Sequence, residues 1–375
     1  MRIGIDVSML VYAGSGVASY TFNLVKGLLQ IDNQNQYCLF YSSLRRPKNF
    51  YYLDELKQLG AKVYSYRLPP TLLRLLWNRW HLLPVEWLIG KVDIWHSSDY
   101  LRPPLLSGTQ AVTTLHDLTW QIFPEYHTQD VIIAHQKKMA KTLTYNDMIL
   151  ADSEQTKADF IQHYPQAKNK IILAPLGVDE LFFKKWPDKA IGKALEKYAI
   201  KPPYLLYVGA IEPRKNIDIL IKAFNLVIKK QPELSLVLAG RAGWKNEQVF
   251  AAVTRLNLKD KVKFIGFVED RDLPLVYQGA KLFVYPSSYE GFGLPPLESL
   301  AAGTPVVAYN CPSLPGSNKK IINAQVLATN ILKQLVNNKV EPIKILNWQQ
   351  VAQKTLAVYL GIKSSAISKS SISPS

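Results

Sequence analysis

Four side chains in the second half of the chain have types and spacing suited to chemistry on a charged, hydroxylated molecule. Arg214 and Lys215 are adjacent in YLLYVGAIEPRKN, residues 204–216. Glu290 and Glu298, with seven residues between them, lie in LFVYPSSYEGFGLPPLESLAAGTPVVAYN, residues 282–310. A guanidinium fork beside a flexible ammonium suits a diphosphate and would offset the charge that builds on it as it departs. Fixed carboxylates flanking an anion pocket can take hydroxyls on either side. A nucleotide sugar has that layout.

The elements that must place these groups are read from periodicity and punctuation. Residues 282–285 read as a buried strand, and 286–294 as a loop in which Gly291 and Gly293 allow geometries closed to other residues. Pro295 and Pro296 suit a first helical turn, leading into a helix over 297–302 that stops at Gly303, and 305–309 reads as a further strand. The N-terminus of such a helix is a ready anion site. Strands over 204–208, 234–239 and 262–265 run into Gly209, Gly240 and Gly266-Phe267-Val268.

In the first half, strands are expected over 2–7, 37–41, 61–68, 92–95 and 110–115, 149–152 leads into a helix opening, and IILAPLGV, residues 171–178, closes the half. A loop carrying Gly14 and Gly16 precedes a helix over 17–29, and Ser153 or Asp152 reads as a helix cap. GSGVAS half-matches a dinucleotide fingerprint, but Ser19 stands at the third small-residue position, and a strand-to-helix turn that needs its glycines only for shape is the alternative. His116, followed by Asp117, stands at the carboxyl end of a strand, where ligands bind in open α/β sheets; a hydrogen-bonded core histidine is the alternative.

The segments EGFGLPPLE, AAGTPVV, PRKN, LHDLTWQIFPE and SE-x-T occur in an order that resembles the retaining GT-B glycosyltransferases of family 4, also called group 1, over residues 1–360. The resemblance implies two doubly wound Rossmann-like domains facing a cleft, with acceptor in the first and nucleotide sugar in the second. It places His116, Arg214, Lys215 and Glu290 at the reacting groups, with Glu290 beside the transferred sugar. It places Gly14, Gly16, Gly209, Gly240, Phe267, Val268, Gly291, Phe292, Gly293, Leu294 and Glu298 at the donor, with Phe267 and Val268 near the base and Glu298 at the ribose. The activity implied is metal-independent transfer of a hexose, with mannose from GDP-mannose as the named candidate and no separate cofactor. The acceptor would be a saccharide or lipid-linked molecule of surface polysaccharide or glycolipid synthesis.

Length and composition set outer bounds. The 375 residues are enough for two cores. The domains are expected at 1–180 and 181–347, with a helix over 348–362 packing back on the first and a disordered tail over 363–375. Cys38 and Cys311 form no disulfide framework, so a reducing, cytoplasmic setting is expected. Asp6 interrupts the first apolar residues, which read as a strand and not a signal peptide. The 45 basic and 29 acidic residues give a net charge of +16. Nothing matches a nucleic-acid fold, so the charge reads either as peripheral contact with an anionic membrane on its inner face or as that of a merely soluble basic protein. TLLRLLWNRWHLLPVEWLI, residues 71–89, either lies in a membrane interface or packs inside the domain.

Two departures from the pattern stand out. Asp270-Arg271-Asp272 looks superficially like a metal-holding pair but is expected to cap a helix. After Pro315 the chain is shorter than the family's pattern, which leaves room for a missing edge strand. That shortening favours, as the alternative function, a noncatalytic nucleotide-sugar-binding partner of another glycosyltransferase. A nicotinamide oxidoreductase would leave all four charged residues unused.

Overall fold

The computed structural model describes residues 1–12, 14–44, 50–241, 243, 246–314, 317, 323–340 and 342–370, with side chains as far as 364. The chain divides into two compact units, Met1–Gly177 with Leu346–Ser375, and Val178–Ile345. The boundary expected after residue 180 thus falls after Gly177.

The first unit holds a sheet of seven strands: β1 (Arg2–Asp6), β2 (Gln36–Ser42), β3 (Lys62–Tyr66), β4 (Ile94–Ser97), β5 (Gln110–Leu115), β6 (Met148–Ala151) and β7 (Ile171–Leu173). Their order is β3-β2-β1-β4-β5-β6-β7, and every neighbouring pair is parallel. Parallel strands need crossovers, and the apolar stretches between them supply helices.

The second unit holds β8 (Tyr204–Val208), β9 (Ser235–Ala239), β10 (Val262–Gly266), β11 (Leu282–Tyr285) and β12 (Val306–Ala308), ordered β10-β9-β8-β11-β12 and again wholly parallel. Leu205, Leu206, Leu236, Leu238, Phe283 and Val284 are fully buried, because helices cover both faces. Among the described residues no strand follows β12, so the sheet ends there.

The terminal helix, Trp348–Ser370, belongs to the first unit and lies along the helix Gly16–Ile31. Gly27 makes the approach possible, since a Cβ there would come within 2.8 Å of the Trp348 carbonyl oxygen. Val351, Ala352 and Tyr359 are buried in this contact. The helix continues through Ser370, so the tail expected to be disordered from 363 is helical that far; residues 371–375 lie outside the described residues.

Leu73, Trp77, Val85 and Ile89 of the 71–89 segment are core residues of the first unit. Packing thus claims one side of that segment. No helix among the described residues is long and apolar enough to cross a membrane. Both cysteines are buried free thiols.

Candidate functional site

In the second sheet the chain order reverses between β8 and β11, and the loops leaving their carboxyl ends diverge from that point. Backbone bonds hold the neighbouring ends together: Gly209 N–H donates to Ala239 O (2.9 Å), Gly240 N–H to Gly266 O (2.7 Å) and Ile211 N–H to Arg241 O (3.0 Å). After β8 the chain makes a 3-10 turn over Pro213–Lys215 and leaves it through Asn216 at φ 53°. The loop after β11 is fastened to this turn. Ser288 N–H donates to Arg214 O (2.9 Å), Asn216 Nδ2 to Pro286 O (2.9 Å) and Arg214 Nη1 to Tyr289 O (2.6 Å).

These bonds bring three of the candidate residues into one ionic cluster. Lys215 Nζ lies 2.5 Å from Glu290 Oε1 and donates to the Tyr285 hydroxyl at 2.7 Å. Arg214 Nη1 is 3.2 Å from Glu290 Oε2, and its Nη2 is 2.8 Å from Glu212 Oε1. Lys215, Glu290 and Glu212 are all buried. Burial alone would raise the Glu290 carboxyl, but the charges of Lys215 and Arg214 outweigh it and hold the group at about 2. Burial pulls the Lys215 ammonium below its ordinary value despite Glu290. The cluster is a pre-aimed set of charges in a poorly hydrated place, the arrangement that stabilises developing charge most strongly. Glu212 and Tyr285 were not singled out from sequence; the only signal was position, Glu212 directly before the turn that holds Arg214 and Lys215 and Tyr285 at the carboxyl end of β11.

Glu298 sits elsewhere in the same unit. Its helix, Leu294–Ala301, begins three residues before the expected start, because Gly293 in a left-handed conformation closes the loop. Pro295 and Pro296 occupy its first turn as expected, which also removes two of the N–H groups that the anion-site expectation relied on. A Cβ on Gly293 would fall 2.4 Å from Cys311 Sγ, and its φ of +89° suits no larger residue. Glu298 accepts from the Tyr277 hydroxyl at 3.1 Å, and burial pushes its carboxyl up to about 7, aided by Asp270 and Asp179.

Other donor-side candidates separate. Phe267 is exposed, with the Arg241 guanidinium 5.6 Å from its ring centroid. Val268 is a core residue, so its side chain offers no ligand surface, contrary to expectation. Phe292 and Leu294 pack against the core at its margin, and Gly291 is buried in the loop beside Glu290. Asp272 stands at a helix N-cap without bonding the helix; its carboxylate goes instead to Lys197 (2.6 Å) and the Tyr198 hydroxyl (2.9 Å).

In the first unit His116 follows β5, with Nδ1 2.6 Å from Asp152 Oδ2 and Nε2 3.0 Å from Ser98 O. The Ser98 carbonyl and an ionised Asp152 both accept, an arrangement that favours the imidazolium. Burial opposes that charge, and Asp152 more than restores it, raising the histidine above its ordinary value. Asp152 is therefore the residue that orients His116, while the following helix is capped by Ser153, whose Oγ accepts from Thr156 N–H at 3.0 Å. Gly14 has φ +80°, and Gly16 opens the helix capped by Ser15.

The first sheet reverses between β1 and β4, and Asp6 ends the one while Asp99 follows the other. Burial pushes the Asp99 carboxyl up to about 7 against the pull of Lys138 and His116. Burial likewise lowers Lys138, to about 8. Sequence reasoning passed over Asp99 and Lys138, since an acid in HSSDYL and a lysine inside the helix Gln129–Thr144 carry no local signal.

Comparison with known proteins identifies the family. Residues 192–342 match the model of glycosyl transferases group 1, and residues 14–180 match that of glycosyltransferase family 4. The chain is 31% identical over 329 residues to an O-antigen chain mannosyltransferase B of Escherichia coli, covering 84% of each. It is 32% identical over 170 residues to a mannosylfructose-phosphate synthase of Agrobacterium fabrum, covering 43% of this chain and 37% of that one. Among solved structures, a sucrose-phosphate synthase from Thermosynechococcus elongatus matches with a TM-score of 0.73 at 19% identity, covering 97% of this chain and all of that one. HepE of Anabaena matches with a TM-score of 0.65 at 17% identity over 99% of each chain. These last two share its fold. With a family match in each unit and a mannosyltransferase relative spanning both, this chain belongs to the GT-B glycosyltransferases of family 4 and is an enzyme of glycosyl transfer.

Proposed function

We propose that this enzyme moves mannose from GDP-mannose, with retention of configuration, onto a saccharide or lipid-linked acceptor of a surface polysaccharide. The cluster of Arg214, Lys215 and Glu290 at the reversal of the second sheet carries the proposal. An arriving diphosphate competes with Glu290 for both cations, and their charge offsets the charge that grows on the leaving group. No cofactor enters the proposal, since these two side chains supply the positive charge. Glu290, released from part of its pairing, faces the sugar. Glu298 accepts from ribose hydroxyls in the second unit, and in the first Asp152 orients His116 for the acceptor. The choice of mannose follows the activity named for the E. coli relative, a mannosyltransferase of O-antigen chains.

The test is thermal stabilisation by a panel of GDP, UDP and ADP, followed by release of nucleoside diphosphate from GDP-mannose with candidate acceptors. GDP should stabilise most, by about 2.7 kcal/mol at a hundredfold excess over its Kd. Because Glu298 titrates near 7, GDP binding should strengthen as pH rises from 6 to 8 in the native protein and not in Glu298→Gln. Stabilisation by UDP alone would overturn the choice of donor, and no release from any nucleotide sugar would overturn the transferase reading of the site.

A further inference from the structure

We propose that residues 70–89 form a lipid-docking surface that seats the first unit on an anionic bilayer beside a small pocket at the carboxyl ends of its strands. The inference deepens the proposed function by supplying a route for a lipid-linked acceptor, and rests on observations independent of the donor site.

The segment has two unlike sides. Leu73, Trp77, Val85 and Ile89 are at most 1% exposed and anchor it in the core. Leu72, Leu75, Trp80, Leu82 and Trp87 are between 36% and 69% exposed. Leu72, Leu75 and Arg79 follow helical spacing on the side away from Leu73 and Trp77. A short helix over Pro70–Leu73 passes into a π-helical turn over Arg74–Arg79, an uncommon geometry often found at functional positions.

The following loop bends against its own preferences. His81 and Leu83 adopt φ of +56° and +67°, costly for residues with a Cβ. Trp77 Nε1 donates to Leu83 O at 3.1 Å, and Leu82 N–H donates to Leu76 O at 2.8 Å. These bonds hold Leu82 outward in water. A backbone conformation costly for these residues thus presents a leucine and flanking tryptophans to solvent.

Charge favours a bilayer as the occupant. Residues 67–91 contain Arg67, Arg74, Arg79 and Lys91 against one acid, Glu86. Glu86 is buried and accepts from Leu106 N–H at 3.0 Å, so it presents little negative charge outward. Arginines stationed around tryptophan and leucine match the interfacial depth of an anionic membrane, with apolar tips among acyl chains and guanidinium groups at phosphates. The same segment opens onto the pocket: Pro70 and Leu73 line it with Ser8, Tyr12, Ser42 and Tyr100. Docking by this face would bring the bilayer to the carboxyl ends of the first sheet's strands, where a lipid-linked acceptor would be presented.

The experiment is flotation of the full chain with phosphatidylcholine vesicles, with and without about 30% phosphatidylglycerol. The native protein should float with the anionic vesicles only, and the triple variant Trp80→Ser, Leu82→Ser, Trp87→Ser should lose about tenfold or more of the bound fraction. Arg74→Glu with Arg79→Glu should give a similar loss, and salt near ~0.5 M should weaken native binding. Melting temperature and GDP stabilisation, unchanged in the triple variant, would show that it is folded. Equal binding of native and triple variant, or no binding by either, overturns the inference. So does concentration-dependent dimerisation abolished by the triple variant, which would make a second copy the occupant. Vesicle binding without GDP stabilisation of the native protein would instead sink the proposed donor and leave the docking surface standing.

Discussion

Lys215 and Glu290 show how one ion pair serves both folding and chemistry. Each charge is buried, and each is tolerable because the other is 2.5 Å away. Removing Glu290 leaves Lys215 buried without its carboxylate, which commonly costs about 3–5 kcal/mol, whereas removing Lys215 leaves Glu290 still paired with Arg214. Glu290→Gln should therefore destabilise by about 3 kcal/mol, Lys215→Met by less, and the double variant by less than the sum of the two. Urea denaturation of the three variants checks this, and additive losses would show that the pair does not couple. The depressed Glu290 carboxyl implies that its contribution is present above its ordinary range and is lost as pH falls through that range toward about 2. At this scale the sequence supplied the residue types, a fork, an ammonium and a carboxylate, that the structure brings into one cluster. It did not reveal that Arg214 spans Glu212 and Glu290, or that Asp152 bonds His116 while Ser153 caps the helix. Those pairings join residues far apart in the chain, and no local pattern encodes them.

The decisive element is the glycine loop between β11 and its helix. Gly293 is needed twice over, for a left-handed φ and for the space taken by Cys311 Sγ. Gly293→Ala should destabilise the second unit by about 2 kcal/mol or more, combining backbone strain and overlap. Adding Cys311→Ala should recover the overlap and leave the strain. Thermal denaturation of single and double variants checks the split, and full recovery would place the whole cost on the sulfur. The loop, its two prolines and the strand after it were legible from glycine, proline and apolar runs. The helix start was displaced because capping by Gly293 depends on contacts with Cys311 and Ser313, which lie beyond the helix. Val268 was misjudged for a similar reason: its neighbour Phe267 is exposed while it faces the core, and only the sheet's packing decides which of the two points outward.

At the scale of the molecule, the last helix completes the first unit. Trp348 stands 6.0 Å from the Tyr20 ring, and the Tyr359 hydroxyl is 2.6 Å from His96 Nδ1. Burial drives His96 down to about 3, so it stays neutral and needs that partner for its ring nitrogen. Deleting residues 346–375 should cost the first unit about 5 kcal/mol, the burial of two or three large side chains. Hydrogen exchange should then show lost protection in β1 and β4, with β8 and β11 unchanged. Equal loss in both sheets would mean that the second unit also depends on the terminal helix.

The linear order of strands, helices and loop glycines is carried by local composition, and from it follow the doubly wound architecture and the family. Periodicity and turn chemistry act over a few residues, so the sequence alone determined them. What folding alone decided was which charges meet and which are dehydrated: the clamp of Arg214 and Lys215 on Glu290, the near-neutral carboxyls of Glu298 and Asp99, and the outward face of 70–89. Those depend on burial and on partners brought together by the sheet, and a carboxylate's solvation has no signature in the residues beside it.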